Sequence, residues 1–391
     1  MTHYEMDPVS TRAPGGETPV QGIGLCLSGG GYRAMLFHTG VLLRLAEFGY
    51  LGTGERVGKH GPMGSLMRIS SVSGGSITAG VLGLAWQDLR VDDDGVADRF
   101  RQHVMRPVQD FSSQTTISVL SGIKSMIFGT VNKGVAKVYR KHLYGTRTLQ
   151  DLPDYPRFVI NATNLQSGAL WRFSKPYNRD WRVGEIKNPT DEIASAVGAS
   201  SAFPPFLSPA RFKYQASQYT EGSGEDLQHA PFTTEPLLAD GGVYDNFGLE
   251  AVFKHCKTVI VSNAGGGFEA TAKVPGDWAR QSYRVMRTVD NQVRSLRKRI
   301  LLNAYTEGRR SGAYWSIRGS IDHYPIEEKL DCPTDRTREL ANIETDLAAK
   351  DITTQRRLIN WGYAMCDAGM RSWVEDDLPP PNDFPFPDEK V

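Results

Sequence analysis

The chain has 391 residues, 40% of them hydrophobic and 23% charged, and a formal net charge of +1. That length can bury a large core, and the balanced charge excludes the basic excess by which a dedicated nucleic-acid partner would be held. The four cysteines lack metal-ligand spacing and read as buried free thiols of a reducing compartment. Met1 to Val20 is polar, without a signal-peptide pattern, and no stretch stays apolar for the roughly 18 residues a membrane span needs, so a cytoplasmic protein is expected.

Residues 1–20 read as a flexible leader. A short apolar run containing Ile23, Leu25 and Leu27 then breaks at Gly29-Gly30-Gly31. Leu36, Phe37, Val41, Leu42 and Leu45 follow at helical spacing, and Gly49 supplies a stop. The same unit repeats: Leu66–Ile69 leads into Ser70-Ser71-Val72-Ser73-Gly74-Gly75, and Ile77–Trp86 reads as a helix rich in small residues. Two strand–loop–helix units in succession predict a mostly parallel sheet with right-handed crossovers.

Between Asp110 and Asp151 no acidic residue occurs, while Lys124, Lys133, Lys137, Arg140, Lys141 and Arg147 alternate with apolar residues. Residues 112–147 are therefore expected to form an amphipathic element that docks peripherally on anionic membrane, against the plainer reading of a solvated helix packed on the core. Strands are expected at 158–162, 236–239 and 258–261, and a helix from the Asn188-Pro189 pair to about Ser200. Helical patterns occupy about 278–304 and 335–374. In the first of these, Val285, Val289, Val293, Leu296 and Ile300 predict a face that covers the core. The expected organisation is a single large unit over 21–375, with a core at 21–265 and a helical part at 276–375. Residues 376–391, acidic and proline-rich, are expected to be a disordered tail.

Three glycines between a buried strand and a helix let backbone N–H groups converge on one point, reinforced by the positive end of the helix dipole. Such a loop suits a phosphate or a tetrahedral oxyanion. No Lys-Ser/Thr follows it, so a nucleotide phosphate loop is the weaker reading. Ser73 lies at a strand-to-helix turn one residue away from the G-x-S-x-G pattern, Ser71 standing for the first glycine. Asp240, followed by Gly241-Gly242 after a short apolar strand, is the candidate base. His38, His255 and His323 carry no motif.

Together these segments resemble the patatin-like phospholipase family. The resemblance lies in Gly29-Gly30-Gly31-Tyr32-Arg33, Ser71-Val72-Ser73-Gly74-Gly75, Asp240-Gly241-Gly242 and the stretch Ala199–Phe206. It implies a three-layer α/β/α sandwich around a mostly parallel sheet, extended by C-terminal helices. It also implies a lipid acyl hydrolase working through a Ser73–Asp240 dyad, without metal or cofactor, on a phospholipid or other fatty-acyl ester. Gly29, Gly30, Gly31 and Gly74 would form the oxyanion hole, and Arg33 would anchor the loop. Two readings stand beside it: an esterase with a Ser73–Asp240–His255 triad, and a non-catalytic lipid- or nucleotide-binding module.

Overall fold

The computed structural model describes residues 19–53, 66–90, 95–117 and 131–391. Nearly all of the expected leader, and residues 118–130 of the expected docking element, lie outside these. The described strands are β1 (Val20–Leu27), β2 (Leu66–Ser71), β3 (Arg157–Asn164), β4 (Leu170–Phe173), β5 (Tyr177–Asp180), β6 (Gly184–Lys187), β7 (Ala210–Arg211), β8 (Leu237–Asp240), β9 (Cys256–Asn263) and β10 (Ser311–Ser316). They form one sheet in the order β10-β9-β1-β2-β3-β4-β5-β6, with β8 bridging β3 and β7. Pairings from β10 to β3 along this order are parallel, and those beyond β3 are antiparallel. The mostly parallel α/β architecture expected from the repeated strand–loop–helix units is therefore present.

Alternation along β1 decides what lies on each side. Leu25 and Leu27 join the large core shared with helix α1 (Gly31–Glu47). Cys26 points the other way, into a smaller cluster with Phe247, Val252, Val259 and Leu301. Helix α1 is buried along almost its whole length, because the C-terminal helix Ile352–Trp373 packs over it. The contact is backbone to backbone: a Cβ on Gly40 would lie 1.8 Å from Ile359 O, and one on Gly362 would lie 1.8 Å from Phe37 O. All four cysteines are buried and free.

Several expectations are corrected. The helix placed from Asn188 begins at Ile193, because Asn188 takes a left-handed φ of 46° and ends the β5–β6 hairpin instead. The pattern at 335–374 is two helices, Thr334–Asn342 and Ile352–Trp373, separated by a segment that reaches back to the glycine loop. The tail is packed rather than disordered. Phe384 and Val391 are buried, and the Asn360 side-chain amide donates to Phe386 O (2.9 Å) and Glu389 O (2.8 Å). Phe384→Ala should lower stability by about 3 kcal/mol, read by denaturant unfolding; a change within a few tenths would mean that the tail contributes no packing.

Within the proposed docking element, helix Val131–Tyr139 buries Val135 and Tyr139 and exposes Lys133 and Lys137. Asn132 ties it to Gly198 O (2.7 Å). Its described apolar side chains thus face the protein. The long helix Trp278–Thr306 does the reverse of what its pattern suggested: Val285, Val289, Leu296 and Ile300 face outward, and only Leu301 and Ala304 are fully buried.

Candidate active site

Parallel pairing of β1 with β2 sets Leu27 beside Ser71, so the glycine loop and the Ser73 turn leave the sheet side by side at its carboxyl edge. Ser73 is one of two non-glycine residues with positive φ among those described, at φ 49° and ψ −117°. That conformation costs of order 1–3 kcal/mol and persists only where its surroundings enforce it. Here the enforcing groups are visible. Ser73 N–H donates to Ser200 Oγ (2.9 Å), and Ser76 Oγ bonds both Ser200 Oγ (2.9 Å) and Ser71 Oγ (3.0 Å). Gly74 abuts the glycine loop so closely that a Cβ there would stand 2.1 Å from Gly31 O.

Asp240 ends β8, held by antiparallel pairing with β3 and by Thr163 Oγ1, which donates to its carbonyl (2.8 Å). Its own N–H donates to Ala202 O (2.8 Å), while Gly241 N–H reaches Ser200 O (3.3 Å). The Ala199–Phe206 stretch therefore grips the Ser73 turn through the Ser200 side chain and the Asp240–Gly241 end of β8 through the backbone of Ser200 and Ala202. The Asp240 carboxylate lies beside the Ser73 hydroxyl and accepts Gly242 N–H through Oδ1 (2.7 Å). Burial raises its pKa from the ordinary 3.8 to about 7, against the opposing pull of Gly242 N–H and the neighbouring Ser73 hydroxyl. The negative charge of Asp290 on the long helix adds to the rise.

The four glycines expected as oxyanion donors are not equivalent. Gly29 N–H is spent on Asn246 O (3.1 Å), which removes it as a donor and corrects that expectation. Gly30 and Gly31, at φ 150° and 62°, and Gly74 at the start of helix α2 (Gly74–Ala85) have no intramolecular acceptor for their N–H groups among the described residues. These three are free to meet an anionic oxygen.

Arg33 is almost wholly buried and satisfies backbone from distant parts of the chain. It donates to Ala264 O (3.0 Å), Ala341 O (3.3 Å), Thr345 Oγ1 (2.9 Å) and Ile343 O. Tyr32 N–H adds a bond to Asp346 O (2.9 Å). Burial lowers the guanidinium pKa to about 10, still charged at neutral pH. The geometry is that of a brace beneath the loop, with its donors turned into the protein.

His38, His255 and His323 stand apart from Ser73 and Asp240. His38 is enclosed in the core, where Nε2–H donates to Ser28 O (3.0 Å) and Nδ1 accepts from Ser262 Oγ (2.9 Å); burial lowers its pKa to about 4, so it is neutral. His255 precedes β9, at the amino edge of the parallel strands, and Ser73 follows β2 at the carboxyl edge. A strand of that length separates them by roughly 25 Å, which breaks the triad reading. His323 is exposed.

Sequence reasoning missed Ser200 as a working residue, although it lay inside a quoted stretch. A small polar residue just before a Pro-Pro pair was the available signal. Ser200→Val should leave Ser73 N–H without its acceptor, costing about 1–3 kcal/mol of stability and lowering the acylation rate. Unchanged reactivity of Ser73 toward a fluorophosphonate would show that the turn holds its shape without this bond.

A strained serine and a buried carboxylate thus lie together at the carboxyl edge of the parallel strands of an α/β protein. A family profile described as patatin-like phospholipase matches residues 25–253, more than half of the chain, including the glycine loop, Ser73 and Asp240. The chain belongs to the patatin-like phospholipase family, a family of lipid ester hydrolases. Among solved structures, human GIVD cytosolic phospholipase A2 is similar with a TM-score of 0.38 and 14% identity, covering 63% of this chain and 43% of that one. The same enzyme in complex with methyl gamma-linolenyl fluorophosphonate gives a TM-score of 0.35 and 14% identity over 63% of this chain and 40% of that one. The aligned part thus spans less than half of that enzyme's length. No curated protein matches the chain.

Proposed function

We propose that the protein is a lipid acyl hydrolase of phospholipase A or lysophospholipase type, acting through Ser73 and Asp240. What carries this reading is the placing of a strained serine beside a buried carboxylate whose pKa is raised to about 7. A carboxylate of that pKa is ionised enough at neutral pH to accept a proton and basic enough to hold it.

Ser73 Oγ attacks the ester carbonyl carbon while its proton passes to Asp240. The carbonyl oxygen becomes an oxyanion facing the N–H groups of Gly30, Gly31 and Gly74. The carbonyl re-forms, the alcohol portion departs with the proton from Asp240, and the fatty acyl group remains on Ser73. Water then gives a proton to Asp240 and attacks the acyl-serine, releasing the fatty acid and regenerating both groups. Each oxyanion donor is worth about 2.7–4 kcal/mol in such chemistry, so the glycine loop contributes on the scale of the base.

The substrate class is a phospholipid or another fatty-acyl ester, and the proposed place of work is the membrane surface, approached from the cytoplasm. Among the described residues no helix is long and apolar enough to cross a membrane. Mixed phospholipid vesicles incubated with wild type, Ser73→Ala and Asp240→Asn, with free fatty acid followed by mass spectrometry, test the reading directly. Release by wild type alone supports it, and equal release by all three overturns it.

A further inference from the structure

The long helix Trp278–Thr306 is built inside out for a helix covering a core. At 100° per residue, Trp278, Val285, Val289, Leu296 and Ile300 fall within an arc of roughly 60°. This stripe runs along most of the helix and faces away from the protein, Trp278 being 81% exposed and the four aliphatics 49–57% exposed. The inward side carries arginines instead. Arg287 donates to Gly267 O (2.8 Å), Arg294 to Gly266 O, and Arg297 to Tyr244 O (3.3 Å). The reason is local: loops leaving the carboxyl edge of the sheet present unpaired carbonyls there, and guanidinium groups satisfy them where aliphatic side chains would not.

Resting on the lipid-hydrolase reading above, we infer that this outward stripe is the surface by which the protein seats on an anionic bilayer. Charge selects the occupant. Of the nine basic residues from Arg280 to Arg310, Arg280, Arg294, Arg297 and Arg309 pair with Asp277, Asp290, Asp245 and Glu307, which leaves five without a carboxylate partner among the described residues. Arg284 and Arg287 bond backbone carbonyls of Glu269 and Gly267, which accept a hydrogen bond without neutralising charge. A second copy of the helix would bring this excess against itself, whereas anionic headgroups complement it. An apolar stripe carrying a tryptophan at one end, with the basic residues on the rest of the helix, is the arrangement by which a helix lies in the interfacial plane. The surface also adjoins the site. Arg297 ties the helix to the Gly242–Asp245 turn, where Val243 is 43% exposed beside the Gly242 N–H that holds Asp240. The helix that carries the stripe therefore adjoins the proposed catalytic pair through its inward face.

The test uses the full chain carrying Ser73→Ala, so that binding is read without hydrolysis. Sedimentation is measured with vesicles of phosphatidylcholine alone and of phosphatidylcholine with phosphatidylglycerol in equal parts. The mixed vesicles should bind more protein, and Val285→Asp/Leu296→Asp in that background should lower the partition coefficient at least about tenfold. The same double variant with Ser73 intact should hydrolyse a short water-soluble ester within about twofold of wild type, showing a folded site. Undiminished vesicle binding by the double variant overturns the inference, as does absence of binding to either vesicle. Equal binding to both vesicle types overturns the choice of an anionic surface. A dimer by light scattering that the double variant converts to monomer, with vesicle binding unchanged, assigns the stripe to a second copy and likewise overturns it. Because Ser73→Ala protein is used for binding, failure of the hydrolase reading appears separately, as wild type that cleaves neither the soluble ester nor vesicle lipid.

Discussion

Replacing Ser73 by alanine should reduce fatty-acid release by at least about 10⁴-fold, to whatever rate the oxyanion donors and binding alone sustain. Asp240→Asn should fall nearly as far, because the amide keeps its place beside Gly242 N–H but cannot take the serine proton. His255→Gln should leave the rate unchanged, since that residue lies at the opposite edge of the sheet. Fluorophosphonate labelling provides a second readout. Wild type should be labelled at Ser73, Asp240→Asn slowly, and Ser73→Ala not at all. A Ser73→Ala protein that still turns over would place the chemistry elsewhere in the molecule.

The second expectation joins activity to stability through one carboxyl group. Asp240 must be ionised to act as base, so kcat/KM should climb about tenfold per pH unit up to its pKa of about 7 and level off above it. Stability should move in the opposite direction. An acid whose pKa is raised on folding binds its proton more tightly in the folded state. Stability therefore falls as pH rises past the unfolded value near 3.8, and the loss is complete above about 7. One pKa unit corresponds to about 1.36 kcal/mol, so the ionised group costs the fold about 4 kcal/mol at pH 8. Asp240→Asn, which never ionises, should consequently be the more stable protein at pH 8 by an amount of that order, with the advantage vanishing near pH 4. Equal thermal unfolding of the two proteins at pH 8 would mean that the carboxylate is solvated in solution, and the raised base would be lost with it.

Much of this site was legible because its parts are local. Alternation in Ile23, Leu25 and Leu27, the glycines after them and the 3.6 spacing from Leu36 onward need no tertiary information to be read as strand, turn and helix. The Ser73 turn and the Asp240-Gly241-Gly242 swerve are readable for the same reason. What escaped depends on partners far along the chain. Gly29 looks like any other loop glycine until Asn246 O is seen taking its N–H. Ser200 acquires its role from a turn more than a hundred residues earlier. The amphipathic pattern at 278–304 has the same period whichever side faces inward, and only the carbonyls of the neighbouring loops decide that the arginines do. The acidic, proline-rich ending carries few apolar groups, yet Phe384, Val391 and the amide of Asn360 suffice to hold it down.

The brace formed by Arg33 also bears on the order in which activity appears during synthesis. Ser73 and Asp240 have both emerged once the first two-thirds of the chain is made. The partners of the glycine loop, from Ala264 and then Ala341 through Asp346, come last. Until they arrive the loop lacks the bonds that hold Tyr32 and Arg33, and neither β9 nor β10 has closed the sheet beside β1. A nascent chain would thus carry the proposed nucleophile and base before the bonds that brace the glycine loop can form. A chain interrupted short of residue 346 would carry Ser73 and Asp240 but lack the carbonyls of Ala341, Ile343 and Asp346 on which the Tyr32–Arg33 brace rests.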